Sequence, residues 1–157
     1  MAGTGSSVYL PPVAGQYVFS AGVALPSSGA WTALTPTVSS AADHTIKESG
    51  LYLVTADTRA AINVPAGGNV WVVGAIARNG TVIGGSEHLA HQIANNDPTA
   101  QGSNEGTGTN FLVFLTAGDV LSMVACARGT TTAAGAAASA ISNGDGYSRA
   151  SWVRVRP

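Results

Sequence analysis

Thr109-Asn-Phe-Leu-Val-Phe-Leu-Thr-Ala-Gly-Asp-Val-Leu-Ser-Met-Val-Ala-Cys-Ala-Arg128 is the stretch whose reading decides the fold. Phe111, Leu112, Val113, Phe114 and Leu115 follow one another without a polar residue. Thr116-Ala-Gly-Asp119 has the composition of a tight turn, and Val120 to Ala127 is again almost wholly apolar. The stretch predicts two strands around a turn. A strand with one apolar face covers a core, whereas a strand apolar on both faces has to be buried on both. In a chain of this size another copy of the chain is the simplest cover for the second face. The expectation is an obligate β-rich oligomer in which the Phe111–Leu115 strand has no side meant for water.

Composition supports that reading. The 157 residues suffice for one domain whose core needs no metal or disulfide staple. Charged residues make up only 10% of the chain, against roughly 25% in an ordinary soluble domain. The expectation is that subunit contacts cover much of the surface and that Ser, Thr, Asn and Gly solubilise the rest. The net charge is -1 and Lys47 is the only lysine, which argues against a phosphate-tracking surface. Arg149, Arg154 and Arg156 form one small basic cluster, too small to dominate binding. No nucleic-acid partner is expected. No membrane is expected either, since no apolar run approaches the ~20 residues of a spanning helix. Cys126 is alone, which excludes an intrachain disulfide. Met1 to Ser7 has neither the basic start nor the apolar core of a signal peptide, so synthesis in a cytoplasm is expected.

Outward from the deciding stretch, punctuation by Gly and Pro predicts eight or nine short strands. Tyr17–Leu25 and Trp31–Leu34 are strand candidates, and His44 to Ile46 pairs briefly. Gly50–Ile62 is a long strand with Tyr52, Val54, Ala56, Ala60 and Ile62 on one face and Asp57 and Arg59 on the other. Val70–Arg78 runs into Arg78-Asn-Gly-Thr81, a hairpin signal because Asn-Gly suits the positive φ angles of a type I′ turn. Glu87–Asn95 reads as a helical turn stopped by Pro98, and Ala100–Gly108 as a polar loop. Gly129–Ala140 reads as a loop of small side chains, Asn143–Gly146 as a turn, and Tyr147–Arg156 as the last strand. In that strand Val153 and Val155 share one face, and Trp152, Arg154 and Arg156 the other. The fold class is all-β, a two-sheet sandwich or barrel. Residues 1–15 read as an extended arm ahead of a domain over 16–157. Pro11 and Pro12 exclude helix there, and Val8, Tyr9, Leu10 and Val13 suit a docking segment.

Few residues offer chemistry. His88 and His91, beside Glu87, have a spacing that aims two imidazoles at one ion from a helical turn. No third ligand lies near them in sequence, so ordinary hydrogen bonding is expected and no metal. Cys126 sits among Val124, Ala125 and Ala127 and reads as a small buried residue. Asp57, Asp97, Asp119 and Asp145 are scattered, and Asp119 belongs to a turn. No Gly-x-Ser-x-Gly elbow or phosphate-binding Gly-Lys-Ser/Thr motif occurs. No enzyme and no cofactor are expected. Trp31, Trp71, Trp152 and Tyr147 either stack on a sugar or anchor core and interface, and the second reading is preferred.

Four motifs in order carry a resemblance: Gly50-Leu-Tyr-Leu-Val54, the Arg78-Asn-Gly80 hairpin, Leu115-Thr-Ala-Gly-Asp-Val120, and Ser151-Trp-Val-Arg-Val155. With Tyr17-Val-Phe-Ser-Ala21 as an opening strand and Trp31 at the start of the next, the chain resembles the jelly-roll superfamily of tumour necrosis factor and the complement 1q head. The resemblance spans residues 16–157. It implies an antiparallel two-sheet jelly-roll sandwich assembled as a homotrimer, with Tyr52, Val54, Phe111, Val113, Phe114 and Leu115 at the three-fold interface. The final strand departs from the family's apolar ending, closing on Trp-Val-Arg-Val-Arg-Pro157. Short jelly rolls rich in Ala, Gly, Thr and Val resemble bacteriophage structural proteins. That implies a decoration protein on the outer surface of the virion head, bound to the major capsid protein at three-fold or quasi-three-fold sites. Val8, Tyr9, Leu10, Pro11, Pro12 and Val13 would form its capsid-docking arm. The alternative is the receptor- or glycan-binding tip of a tail fibre.

Overall fold

A computed structural model describes residues 14–19, 22–36, 44–129, 137–141 and 148–157. The arm residues Val8 to Val13 lie outside the described residues, as does Tyr147. Eleven strands are present among those described: β1 (Ala14–Phe19), β2 (Val23–Ala24), β3 (Thr32–Ala33), β4 (Gly50–Val64), β5 (Asn69–Arg78), β6 (Thr81–Val82), β7 (His88–Ala94), β8 (Gln101–Leu115), β9 (Leu121–Gly129), β10 (Ala137–Ile141) and β11 (Ser148–Arg156). They form two antiparallel sheets. The first, sheet A, runs β1-β11-β4-β10-β2, with β8 on the free side of β4. The second, sheet B, runs β3-β9-β5-β6, with β7 also pairing β5. The chain is an all-β, two-sheet antiparallel sandwich.

Alternation builds the sandwich. In β4 the even residues Tyr52, Val54, Ala56, Ala60 and Ile62 are all buried between the sheets, as the period-two pattern predicts. From sheet B, Val70, Val72, Ile76, Leu121, Met123, Ala125 and Ala127 meet them in one cluster. Trp152 and Phe19 complete that cluster from β11 and β1. The predicted hairpin is present: Asn79 and Gly80 have φ of 52° and 81°, so the turn uses the left-handed region that Asn and Gly tolerate best.

Four local expectations need correction. Glu87–Asn95 is not a helical turn, because β7 occupies His88–Ala94 and pairs β5 from Asn69↔Ala94 to Gly74↔His88. Ala100–Gly108 is not a loop. It is the first half of β8, paired with β4 without interruption from Gly50↔Leu115 to Val64↔Gln101. Backbone pairing with a long neighbour outweighs the poor strand preference of Gly and Asn there. Part of Gly129–Ala140 is likewise strand, since β10 pairs Ala137–Ile141 with Arg59–Asn63 of β4. Tyr17–Leu25 is two strands, β1 and β2, rather than one.

Candidate interaction surface

The β4–β8 register sorts the deciding stretch into two faces. Tyr52 pairs with Val113, Val54 with Phe111 and Gly50 with Leu115, so these side chains turn inward together. Tyr52, Val54 and Leu115 are wholly buried in the chain's own core, and Phe111 and Val113 are half-buried against it. The Tyr52 hydroxyl donates to the Glu48 carbonyl at 2.7 Å. This corrects the interface expectation for Tyr52, Val54 and Leu115, whose side chains leave no surface for a second copy to touch.

The residues between them turn outward. Leu51 pairs with Phe114, and Leu53 with Leu112 on one side and Val153 on the other. Leu112 and Phe114 are 59% and 58% exposed. These five apolar side chains form a contiguous strip across three strands at one end of the outer face of sheet A. Val155 stands exposed nearby. Sequence reading placed Phe114 at an interface, named Leu112 and Val153 only as members of apolar strands, and did not single out Leu51 and Leu53. The signal for them was the period of two applied strictly across all three strands.

Beyond the strip the same face turns polar. Thr55 and Ser151 share a hydrogen bond of 2.7 Å, and Arg149 Nε lies 3.3 Å from Asp57 Oδ2. Gly108 permits this. A Cβ there would lie 2.1 Å from Asp57 Oδ1 and 2.6 Å from the Ala56 carbonyl oxygen, so Asp57 crosses the β8 backbone only because residue 108 has no side chain. Arg154 pairs with Glu48. Two of the three clustered arginines are therefore held by carboxylates.

Part of the outer face of sheet B is covered by the chain itself, although Leu89 beside Val73 stays 48% exposed. Ala75, Ala77 and Val124 are buried beneath Trp31 and Val82. Arg128 sits 5.5 Å above the Trp31 ring and 4.0 Å from Glu87. Cys126 is fully buried on this same side of β9, and burial pushes its thiol pKa up against the opposing pull of Arg128. A thiol held neutral and inaccessible is no nucleophile. Trp152 is 4% exposed and packs inward, which removes it from any sugar-stacking patch.

The two histidines of β7 both point inward, because a register shift beside Val72/Val73 inserts Ala90 as an extra residue. They go to different partners. His88 Nε2 lies 3.0 Å from Thr58 Oγ1 and its Nδ1 3.2 Å from the Ser86 carbonyl oxygen. His91 Nε2 lies 2.9 Å from Ser103 Oγ, and its Nδ1 3.2 Å from Glu105 Oε2. They tie the β7 edge of one sheet to β4 and β8 of the other. Burial holds the His88 pKa below its ordinary value, against the Ser86 carbonyl and Asp57, which raise it. Among the described residues no cluster of three His, Cys, Asp or Glu could hold a metal ion.

Among solved structures the chain is similar to Eiger TNF from S. frugiperda, with 16% identity, 93% of this chain and 94% of that chain aligned, and a TM-score of 0.48. No family model and no curated protein sequence matches it.

Proposed function

We propose that the sandwich is a tumour-necrosis-factor-like jelly roll that assembles as a homotrimer and serves as a structural protein of a bacteriophage, decorating the outside of the head. The outward strip of Leu51, Leu53, Leu112, Phe114 and Val153 carries this reading. It is apolar and contiguous with Leu112 and Phe114 exposed, whereas on the other outer face Ala75, Ala77 and Val124 lie under Trp31 and Val82, so a second copy is its natural cover. The low charge of 10% supports a protein that works within an assembly. The role is one of shape and burial rather than catalysis: trimers seat on the major capsid protein at local three-fold sites, and three arms carrying Val8 to Val13 add avidity.

Quantitative mass spectrometry of purified particles, with immunogold labelling, tests this role. Many copies spread over the head, in a fixed ratio to the major capsid protein, are expected. A few copies confined to the tail end would instead support a receptor-binding tip, and absence from the particle would overturn both.

A further inference from the structure

The asparagine of the Asn79-Gly80 turn is held more firmly than a hairpin requires. Its Nδ2 donates to Asp119 Oδ1 at 2.8 Å, and its Oδ1 accepts from the Val120 backbone N–H at 2.8 Å. Its own backbone N–H donates to the Val120 carbonyl at 2.9 Å. Asp119 is engaged in turn: Oδ2 accepts from Thr116 N–H at 2.9 Å, and its carbonyl accepts from Ile46 N–H at 2.8 Å. Three segments, 44–46, 78–81 and 116–120, thus meet at one end of the sandwich. The Asn79 amide is the side-chain link between the two turns.

An asparagine followed by glycine is also chemically vulnerable, because no side chain shields the next backbone nitrogen. We propose that Asn79 is a deamidation site which the fold holds shut, and whose conversion unlocks the two turns. The Gly80 nitrogen gives up its proton to solvent base and attacks Asn79 Cγ. The Cγ–Nδ2 bond breaks, the departing nitrogen takes up a proton and leaves as ammonia, and a five-membered succinimide remains. Water opens either carbonyl, giving aspartate or an isoaspartate that carries the chain through the side-chain carbon. No electrons are exchanged, and water is the only co-reactant.

The fold opposes the first step. Both polar atoms on Cγ, Oδ1 and Nδ2, are hydrogen-bonded, so the rotation that brings Cγ to the Gly80 nitrogen has to break both bonds. Once conversion occurs the link between the turns is lost. A carboxylate at position 79 has no hydrogen to donate to Asp119 and places two like charges where the 2.8 Å bond stood. The turn then opens.

The test follows the Asn79 peptide by mass spectrometry, with isoaspartate labelling, at mildly alkaline pH. Two hydrogen bonds predict conversion on the order of tenfold or more slower in the folded chain than in denaturant. Asp119→Ala should convert faster than the folded native sequence. Equal rates in folded and unfolded chains, or no acceleration in Asp119→Ala, would overturn the protection. Asn79→Asp supplies the product directly and does not depend on how Asp119→Ala folds. It should melt below the native protein at neutral pH and regain part of the loss in acid, where one carboxylate takes up a proton. An unchanged melting temperature at neutral pH would overturn the unlocking.

Discussion

The two sheets treat their outer faces in opposite ways. On sheet B the chain folds back over itself, and Trp31 and Val82 close over Ala75, Ala77 and Val124. On sheet A the equivalent surface keeps Leu112 and Phe114 more than half exposed. Both faces carry apolar side chains, and among the described residues Trp31 and Val82 cover part of one of them. The difference teaches where the chain covers its own apolar side chains and where it leaves them to solvent, the observation on which the proposed assembly rests. An antiparallel sheet can carry one wet face, but that face is then polar. The Leu51–Val153 end of sheet A is not, although its middle, with Thr55, Ser151, Asp57 and Arg149, is.

The largest expected effect of breaking this asymmetry comes from Phe114→Asp. Its side chain is exposed in a single chain, so the fold survives. If copies seal against it, an unpaired buried charge costs about 3–5 kcal/mol and assembly is lost. Light scattering should show a single-chain mass with an unchanged far-ultraviolet circular dichroism spectrum. Trp31→Ala attacks the other face and should behave in reverse. It uncovers Ala75, Ala77 and Val124 and should lower unfolding stability by roughly half of the ~3–5 kcal/mol of a core aromatic truncation, since Trp31 is itself only partly buried. Its oligomeric mass should not change. Denaturant titration and light scattering on the same samples separate the two behaviours.

A smaller effect tests the contact between sheets rather than their outer faces. Burial depresses the His88 pKa in the folded chain, so the unfolded chain binds more protons between the folded and unfolded values. The stabilisation is present above the unfolded value, near 6.5, and is lost as pH falls through it toward the folded one. The denaturation midpoint should drop on acidification from pH ~7.5 through this range, and His88→Gln should flatten that dependence. The smallest effect belongs to Arg149→Ala. Both partners of its ion pair with Asp57 are more than half exposed, so unfolding stability should change by about 0.5 kcal/mol or less. A marked change in oligomer dissociation instead would extend the buried surface from the apolar strip into the polar middle of the face.

Much of the fold was legible because β4, β5 and β9 carry strong alternation or unbroken apolar runs, and because Asn79-Gly80 names its own turn. What stayed hidden was set by neighbours rather than by local preference. Gln101 to Asn110 has no apolar residue, yet it is strand because β4 is long enough to pair all of it. The inserted residue Ala90 turned an apparent helical spacing of His88 and His91 into two inward contacts from one strand. The surface was only half legible. Five apolar residues in a row announced two-sided burial at Phe111–Leu115, but a resemblance gave both sides to one interface. Parity divides them: Phe111, Val113 and Leu115 face the chain's own core, and Leu112 and Phe114 face outward and stay exposed.

Sedimentation equilibrium of the intact chain across a range of micromolar concentrations tests that division most directly. The account predicts three times the 15.6 kDa chain mass, with Leu112 and Phe114 withdrawn from solvent in the assembled form. A stable species at the mass of one chain, with both side chains in water, would contradict it.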